Sequence, residues 1–583
     1  MSALSSALDN HTSQPSYGKG ENGHTQLNWV SPNSNAEEAF IQLYFQMVRS
    51  TNVKESMVFR RKMRHILTEC YPSHSPDQHV AKYMYKLIGH TRDIIDGKGE
   101  RTLSYAGIME WFDVNPTQAK SLFDSFVYAY NNDSERSGGH QYGSWNDVKY
   151  FCNYVFETTK NRNHDMIEYA VQVMAKQIIE DIKSYRAKKP VVSLAIRHMP
   201  KQGTNGWLYR KIAMIIYPFH STATNPISLE KAINKAEMEF RKVYTVINRE
   251  SLNTPQVYMA SGEAGHGEWD KLQFGNMTSK TLRNYPKAFN NLTKSGIERS
   301  TEDHRIKCAE NYKTHMDSVS RGEAKVNGKR CNPYELVKDA LVGTPSQTEQ
   351  ARINGQWASK MLEALPLDNI IPIVDSSGSM TCDESRPLHS AIGLGIRISE
   401  TSRFKNRIMT FSQNPTWIKI NDNDTFYQKV RKIDSSEWGM STNLYKAMEL
   451  ILDSILEANV SPSEVKNTVL AIFSDMQFDQ GTSNDTTVSV QIRKMYHEAG
   501  MASRFKAPFE PPHILWWNLR TTSGFPEIST KENTTMLSGY SDSLLNAFFG
   551  KGPEVLNDYT PRSMIYEILD NDRYQHLENV FNK

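Results

Sequence analysis

The sequence contains no long hydrophobic run and few cysteines. No stretch of its 583 residues approaches the roughly 18 consecutive apolar residues of a membrane span, so we expect no transmembrane helix. The five cysteines form no Cys-x-x-Cys pair and are scattered at Cys70, Cys152, Cys308, Cys331 and Cys382. An odd, dispersed set argues against a disulfide framework or a zinc site and fits a reducing compartment. We therefore expect a cytoplasmic protein.

Residues 1–35 lack apolar periodicity, and they also lack the apolar core and cleavage signal of a signal peptide. They are rich in Ser, Asn and Gly. A segment of this composition cannot bury enough apolar surface to offset the entropy of folding. We expect a disordered polar tail.

The net charge is only +3, but it is unevenly distributed. Residues 366–583 hold 21 Lys or Arg and 27 Asp or Glu, a balance of −6, while residues 1–365 hold 47 and 38, a balance of +9. A basic first part and an acidic second part would allow nucleic-acid contact by the first part only. The alternative is an ordinary solvated surface.

Amphipathic helices are predicted through most of residues 36–345, because apolar residues recur there every three to four positions. Short breaks that contain Gly or Pro separate these segments. The pattern favours stacked helical pairs, an α-solenoid, without a strict sequence period. Residues 251–330 are more polar and predict an irregular insertion, and residues 346–365 predict a helix that links to a second domain.

Residues 366–583 alternate between strand-like and helix-like segments, which predicts a doubly wound parallel sheet. We expect this domain and the helical one to have separate cores, so that proteolysis cuts the chain near residues 343–366. The strand candidates are residues 369–375, 406–412, 416–421, 467–475, 513–520 and 533–540.

The first of these strands ends on an aspartate and a run of serines, in the sequence IPIVDSSGSM. Side chains at the carboxyl ends of parallel strands enter the crevice where such sheets bind ligands. Asp375, Ser377 and Ser379 offer oxygen but neither nitrogen nor sulfur, which suits a hard cation such as Mg²⁺. The alternative is a polar turn in which the serines cap the next helix.

A second strand candidate ends on Asp475, and a glycine-containing loop between the two strands places Thr442 at the start of a helix. Asp375, Ser377, Ser379, Thr442 and Asp475 together resemble the metal-ion-dependent adhesion site of von Willebrand factor A-type domains. The resemblance implies that Ser377 and Ser379 bind Mg²⁺ directly, Thr442 directly or through water, and the two aspartates mainly through water. It also implies that a protein partner presents an Asp or Glu to the ion. The motif places no His, Lys or further carboxylate as a base, so we expect no enzymatic activity.

The segment GHTRDIIDGKGERTLSY (89–105) superficially resembles a phosphate loop. A Walker A motif needs Gly where Arg92 stands and Ser or Thr directly after Lys98, so we expect no nucleotide cofactor. A functional interpretation is that Lys98, Arg101 and the glycine backbone N–H groups contact RNA phosphate. Arg92 and Lys149 also lie beside Gly-containing turns and are further candidates for phosphate contacts. The alternative is an interhelical turn with a structural ion-pair network formed by Arg92, Asp93, Glu100 and Arg101.

Several blocks of the chain resemble the family called domain of unknown function 2828, from about residue 40 to the end. They include GHTRDIIDGKGER, YGSWNDV, SLAIRHMP, VNGKRCNPYELV, DSSGSM, FSDMQFD and WWNLR. The architecture is similar to that of the Ro ribonucleoprotein autoantigen, where a ring of helical repeats (the TROVE module) is closed by a von Willebrand A domain. The resemblance implies binding of structured small RNA, and members of the family also occur in large DNA viruses.

We therefore expect a multidomain protein, with a HEAT- or TROVE-like helical-repeat scaffold followed by a doubly wound, Rossmann-like von Willebrand A-type domain. The leading functional hypothesis is a non-enzymatic RNA-binding or ribonucleoprotein scaffold with a Mg²⁺ site. The alternative hypothesis is a protein–protein interaction module that recruits an acidic partner through the metal. Under this hypothesis the protein could be a viral or virion-associated component. We expect no membrane partner.

Overall fold

A computed structural model describes most of the chain. The described residues are 17–28, 35–50, 52–71, 75–129, 140–191, 193–219, 224–250, 268–367, 369–436, 439, 442–479, 486–522, 524–549 and 559–582. Within them, no helix is both long enough and apolar enough to span a membrane.

The first part of the protein is helical, as predicted, and helices that follow one another in the chain pack side by side. Local sequence sets the boundaries. The Asn52 side chain accepts a hydrogen bond from the Glu55 amide at the start of one helix, and Asn115 caps another whose first residue is Pro116. The helices are α1 (Ala36–Gln46), α2 (Val53–Cys70), α3 (Gln78–Arg92), α4 (Thr102–Val114), α5 (Pro116–Val127), α6 (Asn146–Thr159), α7 (Asp165–Arg186), α8 (Ala195–His198), α9 (Gln202–Ile216) and α10 (Pro226–Glu250).

The polar segment predicted as an irregular insertion is ordered where the structure describes it. Residues 268–330 form 3₁₀ turns (Trp269–Lys271, Phe274–Asn276) and helices α11 (Ser279–Asn284), α12 (Pro286–Phe289) and α13 (Asp303–Ser320). The prediction was wrong there because a few large side chains suffice for a small second core, formed around Trp269, Phe274, Phe289 and Tyr312. Residues 251–267 lie outside the described residues. Helices α14 (Pro333–Leu341) and α15 (Gln347–Met361) follow, and α15 packs against α13.

A six-stranded sheet forms the α/β part, and all six predicted strands are confirmed. Its strands, numbered after two short N-terminal strands described below, are β3 (Ile370–Asp375), β4 (Arg407–Phe411), β5 (Thr416–Lys419), β6 (Val469–Ser474), β7 (His513–Asn518) and β8 (Thr534–Ser538). Their order in the sheet is β5–β4–β3–β6–β7–β8, in which β4 and β5 are antiparallel and the other neighbours are parallel. The accompanying helices are α16 (Cys382–Thr401), α17 (Phe426–Asp434), α18 (Leu444–Glu457), α19 (Pro462–Lys466), α20 (Val488–Ala502) and α21 (Ser543–Phe549).

The C-terminal helices leave the sheet and pack against the helical part. Helices α22 (Pro561–Leu569) and α23 (Gln575–Phe581) both contact α3. Between them, the Arg573 guanidinium donates two hydrogen bonds of 2.5 Å to the buried Asp93 carboxylate. One apolar cluster runs from Leu27 through both parts to Leu577. The structure thus differs from the separate cores that we expected, because the end of the chain returns to the first part.

The N-terminal segment predicted as a disordered tail also contains order. Strand β1 (Tyr17–Lys19) pairs with β2 (Thr25–Leu27) in an antiparallel hairpin. Leu27 and Phe525 exchange backbone hydrogen bonds of 3.1 and 2.8 Å, and the Leu27 side chain is buried. Docking on the α/β part supplies the backbone partners and apolar burial that the segment lacks by itself. Residues 1–16 and 29–34 lie outside the described residues.

Candidate metal centre

The candidate site lies where the adjacent parallel strands β3 and β6 end. Both strands are almost wholly buried, which explains their uninterrupted apolar sequences. Asp375 is the last residue of β3, and Asp475 directly follows β6. The Ser474 hydroxyl donates a 2.5 Å hydrogen bond to Asp375 Oδ2 and so joins the two strand ends. Strand β3 lies between β4 and β6, so this is the switch point at which doubly wound sheets bind ligands.

The loop after β3 brings two hydroxyl groups to the carboxylates. The Ser377 amide donates a 2.9 Å hydrogen bond to Asp375 Oδ1, which folds the loop back over the strand end. As a result, Ser377 Oγ and Ser379 Oγ lie 3.0 Å apart. Ser379 is also close enough to the Asp475 carboxylate to favour its charged form. Four of the five predicted metal residues are therefore together, and every side-chain donor atom among them is oxygen.

Thr442, the fifth predicted residue, reaches the same region through its loop. Gly439 forms an isolated parallel bridge with Ser377, and a Cβ at Gly439 would lie 2.7 Å from Ser412 Oγ, so this close approach needs glycine. Thr442 Oγ1 is buried and makes no hydrogen bond to any described residue. A buried hydroxyl without a hydrogen-bond partner costs about 1–3 kcal/mol of stability. Coordination of a metal ion by Thr442 Oγ1 would remove this cost.

The electrostatics of the site favour a cation. Burial raises the pKa of Asp375, and the neighbouring Asp475 raises that pKa further. Burial also raises the pKa of Asp475, although Arg520 opposes the rise. Two buried carboxylates in proximity repel each other unless a positive charge compensates them. The donor set of hydroxyls and carboxylates therefore fits a hard divalent ion such as Mg²⁺.

Within the part of the chain that the structure describes, no group of three or more His, Cys, Asp or Glu side chains could hold a metal ion. The candidate centre differs from such groups because three of its five members are Ser or Thr.

Arg520 and Glu21 are part of this neighbourhood and were not predicted. Arg520 Nη1 lies 3.2 Å from Asp475 Oδ2, and Arg520 Nη2 lies 2.5 Å from Glu21 Oε2. Arg520 could have been found from sequence, since it follows β7, the next strand along the sheet. Glu21 could not be found from sequence, because the polar segment around it has no apolar period that predicts an ordered hairpin.

Two of the four predicted RNA-contacting residues are buried instead, and for them the prediction was wrong. Arg92 donates hydrogen bonds of 2.7 and 2.8 Å to the Asp147 carboxylate. Lys98 Nζ donates to the carbonyl oxygens of Tyr44 and Met47 at 2.7 and 2.8 Å, and to Ser538 Oγ at 2.7 Å. Both side chains therefore make their contacts inside the protein. They do not form the ion-pair network of the alternative interpretation, since Arg92 pairs with Asp147 and Asp93 pairs with Arg573. Lys98, which that network did not include, links the helical part to the end of β8.

The other two predicted residues lie together beside an exposed aromatic ring. The Arg101 guanidinium is 4.7 Å, and Lys149 Nζ 5.0 Å, from the centre of the Tyr150 ring, which is 43% exposed. Burial, then Arg101 and Lys201, lower the pKa of Lys149. Burial lowers the pKa of His198 to about 4, with Arg197 and Lys149 adding to the effect. We call Arg101, Lys149, Arg197 and Lys201 the cationic patch.

A cleft of about 1890 Å³ adjoins the patch, and Arg101 and Tyr150 line it. Its walls come from the helical part, from the 268–332 segment and from the α/β part, which contributes Arg386 and Tyr540. Eleven basic and seven acidic side chains line the cleft, so positive charge is in excess.

Comparison with known proteins adds two similarities. A family described as "Domain of unknown function (DUF7788)" matches residues 369–575. The chain is also 27% identical over 505 residues to "Uncharacterized protein L728" of Acanthamoeba polyphaga mimivirus, an alignment that covers 83% of this chain and 78% of that protein.

The matched region of the DUF7788 family contains all five candidate metal residues and Arg520. It contains neither the hairpin nor the cationic patch. The alignment with the mimivirus protein is too long to be confined to the α/β part, so that protein is similar to the helical part as well.

Proposed function

We propose that this chain is a non-enzymatic RNA-binding scaffold whose second part is a von Willebrand A-type domain that holds Mg²⁺. The strand order supports this fold, because β3 is central, its crossovers run to both sides, and β5 at the edge is antiparallel. The helical part would be the TROVE-like or HEAT-like scaffold that the family resemblance implies. Acting together, the two parts would form a ribonucleoprotein scaffold.

The hydroxyls of Ser377, Ser379 and Thr442 would hold the ion, and Asp375 and Asp475 would compensate its charge, largely through water. Magnesium retains several waters in protein sites, and the bound ion would offer an electrophilic position to an oxygen ligand. The Asp375 carboxylate is already held in place, since the Ser377 amide and the Ser474 hydroxyl donate hydrogen bonds to it. This supports a binding role over a catalytic one.

The cationic patch is the observation that carries the RNA proposal. Among the described residues, Lys149, Arg197 and Lys201 form no ion pair with an acidic side chain, and Arg101 Nε is 4.0 Å from an Asp147 carboxylate that already pairs with Arg92. Close cations without counter-ions attract polyanions. Exposed Tyr150, between two of these cations, offers a surface on which a base can stack. Phosphate contacts and one stacking contact together describe a site for unpaired RNA.

An electrophoretic shift assay at low salt, with structured small RNA and with single-stranded RNA, tests the RNA proposal. The double variant Arg101→Ala/Lys149→Ala should bind more weakly, and its dependence of log affinity on log salt should be shallower by about one unit per lost phosphate contact. Lys183→Ala/Lys242→Ala is a matched control, because these exposed lysines pair with Glu180 and Glu239. A double variant that binds like the control, or wild-type protein that shifts no RNA, contradicts the proposal.

A second candidate function is recruitment of a protein partner through an acidic side chain that binds the metal. The buried Thr442 hydroxyl, which has no hydrogen-bond partner among the described residues, favours it. A metal ion held there would have a position for an external carboxylate. Purification in Mg²⁺ and in a chelator tests the idea. A protein retained by the wild type only in Mg²⁺, and lost with Ser377→Ala, supports recruitment; co-purification that neither the chelator nor the variant changes contradicts it.

We further propose that the protein acts in the cytoplasm of a virus-infected host cell or within the virion. The similarity to the mimivirus protein supports this proposal. Fractionation of infected cells and of purified virions, with detection by a specific antibody, tests it; detection only in uninfected cells contradicts it.

A further inference from the structure

The N-terminal hairpin docks directly beside the candidate metal centre. The Glu21 amide donates a 2.7 Å hydrogen bond to Gln477 Oε1, and Asn22 Nδ2 donates one of 2.9 Å to the Gln477 carbonyl. Gly23 forms an antiparallel bridge with Asp479. Gln477 and Asp479 belong to the short segment that starts at Asp475. The hairpin therefore lies against the chain that supplies one of the two metal-site carboxylates.

The same segment also positions Thr442. The Thr442 amide donates a 2.8 Å hydrogen bond to Asp479 Oδ2, and the Asp479 amide donates one of 2.9 Å to the Thr442 carbonyl. A shift of the segment that contains Gln477 and Asp479 would therefore move both the hairpin and Thr442. Hairpin docking and the geometry of the centre are mechanically connected through these backbone contacts.

An ion-pair chain makes a second connection, and this one is electrostatic. Glu21 on the hairpin pairs with Arg520, and Arg520 pairs with Asp475. The Arg520 side chain is only 18% exposed, whereas the Glu21 side chain is 55% exposed. Arg520 therefore supplies the positive charge next to the buried Asp475 carboxylate, and Glu21 fixes the guanidinium from the solvent side.

We propose that Arg520, held in place by Glu21, is a built-in competitor of the divalent cation, so that metal binding and hairpin docking oppose each other. The inference rests on the proposed function, because it concerns regulation of the same metal site. A divalent ion beside Asp475 repels a guanidinium 3.2 Å from that carboxylate. When Arg520 moves away, Glu21 loses its partner and the hairpin loses an anchor. Coupling of this kind is reciprocal, so a docked hairpin must weaken metal binding by the same factor.

The test measures Mg²⁺ affinity by titration calorimetry on the full chain. Arg520→Met removes the competing charge while keeping much of the side-chain length. It should tighten Mg²⁺ binding by at least about tenfold, because the like charges of the guanidinium and the ion repel each other strongly at this short range. Arg403→Met is the matched control, because Arg403 is exposed on the α/β part and should leave the affinity unchanged. Thermal melts of both variants without Mg²⁺ check that they fold.

A second readout follows the hairpin itself. Lys19 in β1 is the only Lys or Arg before Arg49 in the sequence, so tryptic cleavage after Lys19 reports release of the hairpin. Mg²⁺ should speed this cleavage several-fold in the wild type. Glu21→Gln should speed it without Mg²⁺, because the anchor is already lost.

Failure of this inference is distinguishable from failure of the metal site. The metal site stands if the wild type binds Mg²⁺ and Asp375→Asn does not. The competitor proposal is nevertheless overturned if Arg520→Met binds Mg²⁺ with wild-type affinity and Mg²⁺ does not change the rate of cleavage after Lys19. Slower cleavage in Mg²⁺ also overturns it, since docking and binding would then be cooperative. If the wild type binds no Mg²⁺, both proposals are overturned.

Discussion

Replacing Lys98 with Met should destabilise the protein and leave RNA affinity unchanged. The ammonium group is buried and donates three hydrogen bonds, to Tyr44, Met47 and Ser538. Hydrogen bonds to charged groups contribute about 1.5–3 kcal/mol each. Methionine would recover the desolvation cost of the ammonium, which is several kcal/mol, and its length leaves little cavity. We therefore expect a net loss of about 2–4 kcal/mol of stability, on the scale of these two terms.

Urea unfolding measures this loss as a lower midpoint. Lys280→Met is the control, because Lys280 is exposed and lines the same cleft; its midpoint should match the wild type. RNA affinity of the folded Lys98→Met protein is measured in parallel by electrophoretic shift. A variant with an unchanged midpoint and weaker RNA binding would refute the structural role assigned to Lys98 and restore it as a phosphate contact.

Three further substitutions test other parts of the account. Arg573→Gln leaves the Asp93 carboxylate buried without its bidentate partner, and it should cost about 3–5 kcal/mol in urea unfolding; a loss below about 1 kcal/mol would mean that the C-terminal helices are not held by this pair. Gly439→Ala places a Cβ 2.7 Å from Ser412 Oγ, so it should shift the loop that positions Thr442. The increase in melting temperature caused by Mg²⁺ should then be smaller; an unchanged increase contradicts the placement of Thr442 in the metal site. Burial lowers the pKa of His90 from 6.5 to about 3. The unfolded state therefore takes up the proton first, and stability is lost as the pH falls from about 6.5 toward 3. His90→Asn should make urea midpoints less sensitive between pH 7 and 5, and an equal pH dependence in both proteins would argue against a neutral buried His90.

The placement of the candidate metal residues beside one another could be predicted from sequence, because their positions follow from strand ends. Apolar runs ending on Asp375 and before Asp475 predict two buried parallel strands, and parallel strands bring their carboxyl ends to one edge of a sheet. The spacing of Ser377 and Ser379 after the first strand places both hydroxyls in one tight loop. These inferences need only the local sequence pattern and the geometry of a parallel sheet, so the sequence is sufficient to make them.

Contacts between distant segments could not be predicted in the same way. Lys98 lies in a glycine-containing turn, and Arg92 ends the helix before that turn. In the sequence both positions are compatible with an exposed phosphate site. In the structure Lys98 is covered by helix α1 and by Ser538 at the end of β8, while Arg92 pairs with the buried Asp147 carboxylate. Similarly, Glu21 lies in a polar segment with no apolar period, and its order comes from docking against Gln477.

Thermal melting of the wild type and of Asp375→Asn across a magnesium titration tests whether the ends of β3 and β6 bind a divalent cation. Binding to the native state alone stabilises it by about 2.7 kcal/mol when the ligand is at 100 times its Kd. The melting temperature of the wild type should therefore rise steadily with millimolar Mg²⁺, while that of Asp375→Asn, which keeps the side-chain shape but removes the charge, should stay constant. Equal Mg²⁺ responses in the two proteins, or no response in the wild type, would contradict a divalent-cation site at the ends of β3 and β6.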